Sequence, residues 1–170
     1  MILGGHRGAL QLFGKGDDML TISLQTGTAL TEWSLSTLRR RINDGSVQCT
    51  HDKTAANKTR ICFDSIKNHI GMALDAETVA LIEKADAGDA AAQNDLAVFF
   101  LECDNARLAI YWLELAARRD FTDAMHLLGQ CYLKGNGVAK DHNLALMWIA
   151  RAAASGHPLA AAQVRSIRLG

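Results

Sequence analysis

Residues 131–157 read CYLKGNGVAKDHNLALMWIARAAASGH, and their spacing decides the fold of the C-terminal half. The first residues finish an apolar face made by Ala124, Leu128, Cys131 and Tyr132, which recur at helical intervals. Gly135 and Gly137 suit the turn that ends such a helix, and Asp141 suits the cap of the next. A second stripe follows, built from Leu144, Ala145, Trp148, Ala152 and Ala153. Gly156 closes that helix, and Pro158 suits the first turn of another. The stretch therefore predicts helix, glycine loop, helix. Its Trp and Tyr read as packing groups rather than as a cofactor box.

The same unit occurs upstream. Between Asp89–Glu102 and Thr122–Gly135, an offset of 32 sets Ala92 on Ala124, Leu96 on Leu128, Ala97 on Gly129 and Phe100 on Tyr132. Leu108–Phe121 aligns with Leu144–His157, matching Ala109 to Ala145, Trp112 to Trp148 and Ala116-Ala117 to Ala152-Ala153. The offset grows from 32 to 36 residues, and the difference falls in the loop, CDNAR against GNGVAKDHN. Rigid helices joined by a loop tolerate such a deletion. Ala85 and Gly88 precede the first unit as Ala153 and Gly156 precede Ala160, which predicts a capping helix on either side of the two units. This pattern resembles the Sel-one-like repeat, a relative of the tetratricopeptide (TPR) repeat. The residues that carry it are Ala124, Leu128-Gly129, Tyr132, Gly135-x-Gly137-Val138, Asp141, Ala145, Trp148, Ala152-Ala153 and Gly156. The resemblance implies a scaffold that binds protein on its concave face. TPR geometry would turn Asn94 and Val98 of unit one, and Asp123, His126 and Gln130 of unit two, toward that groove. With about two units the groove is short, and packing or dimerisation is an alternative use.

Composition bounds the rest. The chain has 170 residues, 49% hydrophobic and 21% charged, with no formal net charge, as in an ordinary globular protein. No run approaches the ~20 apolar residues of a membrane-spanning helix, and the N-terminus lacks the features of a signal peptide, so the cytoplasm is expected. Cys49, Cys62, Cys103 and Cys131 are scattered, which predicts reduced thiols, with Cys103 and Cys131 buried in helices. Residues 1–74 hold nine Lys/Arg against six Asp/Glu, and residues 75–170 hold nine against twelve. The basic half is N-terminal.

That half centres on TISLQTGTALTEWSLSTLRRRINDGSV, Thr21–Val47, which reads as helix, tight turn, helix. The first helix is expected from Ile22 to Ala29 and the second from an N-cap at Ser34 to Asp44, with Gly45 beyond it. On the second, Leu35, Leu38 and Ile42 fall within about 60° and form the expected buried stripe. Thr37 and Arg40 lie opposite, flanked by Ser36 and Arg41, while Arg39 is nearest the buried side. SVQCTHD and TRICF read as strands joined by a polar loop, a candidate wing bearing Lys53 and Lys58. A third helix, SIKNHIGMAL, is expected after Asp64. The order resembles the winged helix-turn-helix of MerR-like and excisionase proteins, carried by WSLSTLRRRINDGSV. The resemblance implies contact of double-stranded DNA by Ser36, Thr37, Arg39, Arg40, Arg41, Lys53 and Lys58. Against it stands an arginine helix that is merely solvated or docks on an acidic protein. Seven basic residues between Thr31 and Asn68 are offset by four acidic ones.

Other chemistry finds no support. Cys49, His51, Cys62 and His69 fit no zinc-ligand spacing. Phe13–Asp18, FGKGDD, lacks phosphate-loop spacing, and no serine sits in a nucleophile elbow. The expected architecture is mainly α: residues 1–20 a lead-in whose order the sequence leaves open, 21–74 a small winged helix-turn-helix domain, and 75–170 a short αα-hairpin (TPR-like) repeat array with capping helices. The expected protein is no enzyme, needs no cofactor or metal, binds DNA through its N-terminal domain, and dimerises or recruits a partner through its repeats. The alternative is an adaptor with no nucleic-acid role.

Overall fold

The computed structural model describes residues 19–52 and 58–168. The lead-in up to Asp18 and the loop lysine Lys53 lie outside the described residues, as does the side chain of Lys58. The N-terminal module runs β1 (Thr21–Ser23), α1 (Leu24–Thr31), α2 (Leu35–Asn43), β2 (Cys49–Asp52) and β3 (Lys58–Cys62). The three strands form one antiparallel sheet in the order β1-β3-β2, with Ile22 opposite Ile61 and Cys49 also opposite Ile61. Ile22, Leu30, Leu38, Val47 and Ile61 are buried between this sheet and the two helices.

Two expectations change here. The residues from Thr21 to Ser23 are strand, and α1 starts only at Leu24, because Ile22 is drawn into the sheet and Ser23 caps the helix by accepting from the Thr26 amide. The expected third helix is replaced by two one-turn 3-10 helices, Phe63–Ser65 and Lys67–His69. Ile66 and Ile70 are buried as the helical spacing required. β-Branched residues beside Asn68, His69 and Gly71 favour helix weakly, so core contacts fix this segment without a continuous helical ladder.

Six helices follow: α3 (Ala76–Asp86), α4 (Ala90–Glu102), α5 (Ala106–Ala117), α6 (Thr122–Lys134), α7 (His142–Ala154) and α8 (Pro158–Arg168). Asp75, Asp89, Asn105 and Asp141 cap the N-termini of α3, α4, α5 and α7 by accepting from amides of their first turns. The α4–α5 and α6–α7 pairs are the two aligned units. α3 and α8 flank them as single helices.

Small residues make the seams. Ala97, Ala109, Ala116, Ala117, Ala124, Ala145 and Ala152 are all inaccessible, and Phe100, Trp112, Leu113, Met125 and Leu128 fill the space between them. A Cβ on Gly129 would lie 2.6 Å from Ile149 Cγ1 and 3.1 Å from the Ala145 carbonyl oxygen, so this position sets the spacing of α6 and α7. Gly137 has φ +73°, and a Cβ there would meet the Ala106 carbonyl, which explains why the longer loop carries a second glycine. Of the two cysteines expected inside helices, Cys131 is buried but Cys103 is exposed, because α4 ends at Glu102 and Cys103 is its C-cap.

The two halves share a buried carboxylate. Asp86, at the end of α3, has a side chain only 1% exposed. It accepts from the Ser23 amide, from the Thr26 hydroxyl at 2.6 Å, and from Arg60 Nη2 at 2.8 Å. Arg60 also donates to the Thr21 carbonyl and hydroxyl. β1, α1 and β3 are thereby tied through one anion to the repeat array.

Candidate interaction surfaces

On α2, Ser34 caps the helix through the Thr37 amide, and its hydroxyl lies 2.8 Å from Ser36 Oγ and 2.9 Å from Thr37 Oγ1. Ser36, Arg39 and Arg40 are exposed, and Thr37 is half-buried. Arg41 is the arginine drawn inward, with its guanidinium carbon 4.1 Å from the centroid of the Trp33 ring. Arg39, placed nearest the buried side by ideal helical angles, points to solvent instead. Leu35, expected in the buried stripe, is 42% exposed. Trp33 also lies 4.9 Å from the His69 ring, so one indole anchors Arg41 and the 3-10 segment together. Sequence reading missed this platform, although a Trp in a turn followed by arginines was its signal. Beyond α2, Asp44 accepts from both the amide and the hydroxyl of Ser46, which hold its carboxyl below the usual range.

On the repeat array the five candidate groove positions have different fates. Asn94 is buried and its Oδ1 has no hydrogen-bond partner; Val98 is half-buried. Asp123 is exposed. His126 and Gln130 are half-buried and both bind Gln163 of α8, at 3.0 and 3.1 Å. Gln163 is a member of this cluster that sequence reading missed, because its partners lie 33 and 37 residues away.

A different surface stands out by comparison of the two units. Leu108 and Ile110 on α5 are 5% and 7% exposed, whereas their counterparts Leu144 and Leu146 on α7 are 38% and 47% exposed. Met147 beside them is 48% exposed. Leu108 lies under the N-terminal module, lining a cleft of about 260 Å³ with Leu30, Thr31 and Met72. No such cover lies over α7 among the described residues, and Leu146 instead edges a groove of about 310 Å³ shared with Leu133, Ile149 and Gln163.

The architecture is that of a helical-repeat protein, mainly α, in which paired antiparallel helices stack around a seam of small residues. Residues 90–121 and 122–157 each match the Sel1 repeat, with boundaries that coincide with the α4–α5 and α6–α7 units. A solved Sel1 repeat protein from Oxalobacter formigenes is similar, with 39% sequence identity, a TM-score of 0.46, and coverage of 49% of this chain and 66% of that one. No curated protein matches the chain. Among the described residues no helix is long and apolar enough to cross a membrane.

Proposed function

We propose that the chain is a protein-interaction scaffold whose Sel1 repeats hold a partner. The observation that carries this reading is the set of open apolar side chains on α7, Leu144, Leu146 and Met147, of which Leu144 and Leu146 have buried counterparts on α5, Leu108 and Ile110. A partner helix or loop laid against α7 at Leu144 would take the place that the N-terminal module takes over Leu108 on α5. The concave positions Asn94, Val98, Asp123, His126 and Gln130 form a second candidate lining, with His126 and Gln130 already engaged by α8. No catalytic step is needed in this reading. The test is affinity capture followed by crosslinking with wild type and with Leu146→Asp plus Met147→Asp. The reading expects a partner held by wild type and lost from a variant whose circular dichroism is unchanged. Equal capture by both proteins would move the contact elsewhere.

A second reading is favoured by one specific observation. Two short helices, α1 and α2, followed by the β2–β3 strand pair, with Arg39 and Arg40 exposed along α2, support a helix-turn-helix reading in which α2 meets DNA. In that reading Ser36, Thr37, Arg39 and Arg40 face the duplex, Arg41 braces the helix on Trp33, and Lys53 and Lys58 belong to the wing. The module would then bring DNA to the partner held by the repeats, as a regulator does. Fluorescence anisotropy with mixed-sequence duplex across a salt series decides it. Binding that weakens with salt and drops by about tenfold or more in Arg39→Ala plus Arg40→Ala supports DNA contact. No binding at low salt leaves the scaffold alone.

A further inference from the structure

We propose that the stacked His126 and His157 rings form a pH-sensitive latch, which holds α8 against α6 while both are neutral and loosens that joint on acidification. The rings lie 4.4 Å apart at an interplanar angle of 29°. His157 is buried, and its Nδ1 accepts from the Ala160 amide at 3.1 Å, serving as the N-cap of α8. That bond assigns the neutral tautomer with the proton on Nε2, which faces Asp123 Oδ1 at 3.5 Å. His126 Nε2 donates to Gln163 Oε1, and the Gln130 amide donates to the same oxygen, so α6 grips α8 through one acceptor.

Protonation acts against the α8 cap and the ring stack, whereas the His126–Gln163 bond, whose donor stays in place, favours the charged form. A second proton on His157 has to occupy Nδ1, where it meets the Ala160 N–H and removes the cap acceptor. The new charge also sits at the positive end of the α8 dipole. If both rings are charged, two cations face each other at stacking distance. Asp123 is the carboxylate that faces the pair and works the other way; Gln130 and Gln163 are uncharged. Burial, the largest cause, holds the His126 pKa below its ordinary value of 6.5, and the neighbouring His157 adds to it. The undocked ring takes up a proton more readily than the docked one. The joint is therefore complete above about pH 6.5 and weakens as pH falls through the depressed value.

Hydrogen exchange on the full chain tests the latch. Corrected for intrinsic rates, amides of residues 160–164 are expected to lose about tenfold protection between about pH 7.5 and pH 5, relative to those of α4 and α5. In His126→Gln plus His157→Asn, which keeps a donor to Gln163 and a capping side chain at 157, the change shrinks to about twofold. A pH-independent wild type, or an undiminished drop in the double variant, overturns the proposal. Should the double variant leave α8 unprotected at both pH values, NMR titration of wild type decides. His157 taking up its proton with no movement of the Ala160 amide resonance overturns the latch, and coincident movement supports it.

Discussion

At the scale of single residues, Asp86 does the most. Its carboxylate is the common acceptor for a backbone amide, a hydroxyl and a guanidinium from three different elements. Removing it leaves the Thr26 hydroxyl and Ser23 amide facing a void, while Arg60, with a side chain 34% exposed, keeps partial access to water. Asp86→Ala should therefore cost roughly 2–3 kcal/mol, below the loss for a fully buried ion pair. Urea denaturation at neutral pH measures this, and a midpoint within error of wild type contradicts it. Asp86→Asn keeps one acceptor and should cost less than the alanine variant. Nothing local in KADAGD marks Asp86 as different from a solvated helix-end acid, because its partners Arg60 and Ser23 lie 26 and 63 residues away. Arg41 is a similar case: helical angles place it on the flank, but only the fold sets Trp33 beneath it.

At the scale of elements, the repeat units were legible almost to the residue. The cap Asp141, the glycine loop and the Gly-x-Pro break appear where local chemistry put them, since each acts within one turn of its own position. Gly129 tests the seam between α6 and α7. Gly129→Ala adds helix propensity but drives a methyl against Ile149 and the Ala145 carbonyl, so it should destabilise by about 1–3 kcal/mol. Thermal or urea unfolding reads the sign, and a stabilised variant would show that the helices part at no cost. The elements that were misread are short. Thr21–Ser23 carries helical spacing yet becomes strand through pairing with Arg60–Cys62, and Ser65–Leu74 carries the same spacing yet forms only 3-10 turns. Segments of fewer than three turns have too little ladder to resist tertiary contacts.

At the scale of the whole molecule, the N-terminal module and the repeats are packed together through Asp86 and through the contact of α1 with α5. In wild type, amides of Ile22 and Ile61 are expected to exchange with the same global opening as the core of α5. In Asp86→Ala the module amides should exchange faster while those of α5 keep their protection. Loss of protection in both together would show that the repeats depend on the module for stability.

By itself the sequence determined the repeat, the cap and glycine turns of its second unit, the position of α2 and the β2–β3 strand pair, because helix caps, glycine turns and apolar periodicity act over a few residues. Only the tertiary structure decided that β1 pairs with β3, that Asp86 joins the halves, that α8 occupies His126 and Gln130, and that α7 leaves apolar side chains open. Each of these depends on which distant group meets a side chain, and contact between residues far apart in the chain is a property of the packed molecule.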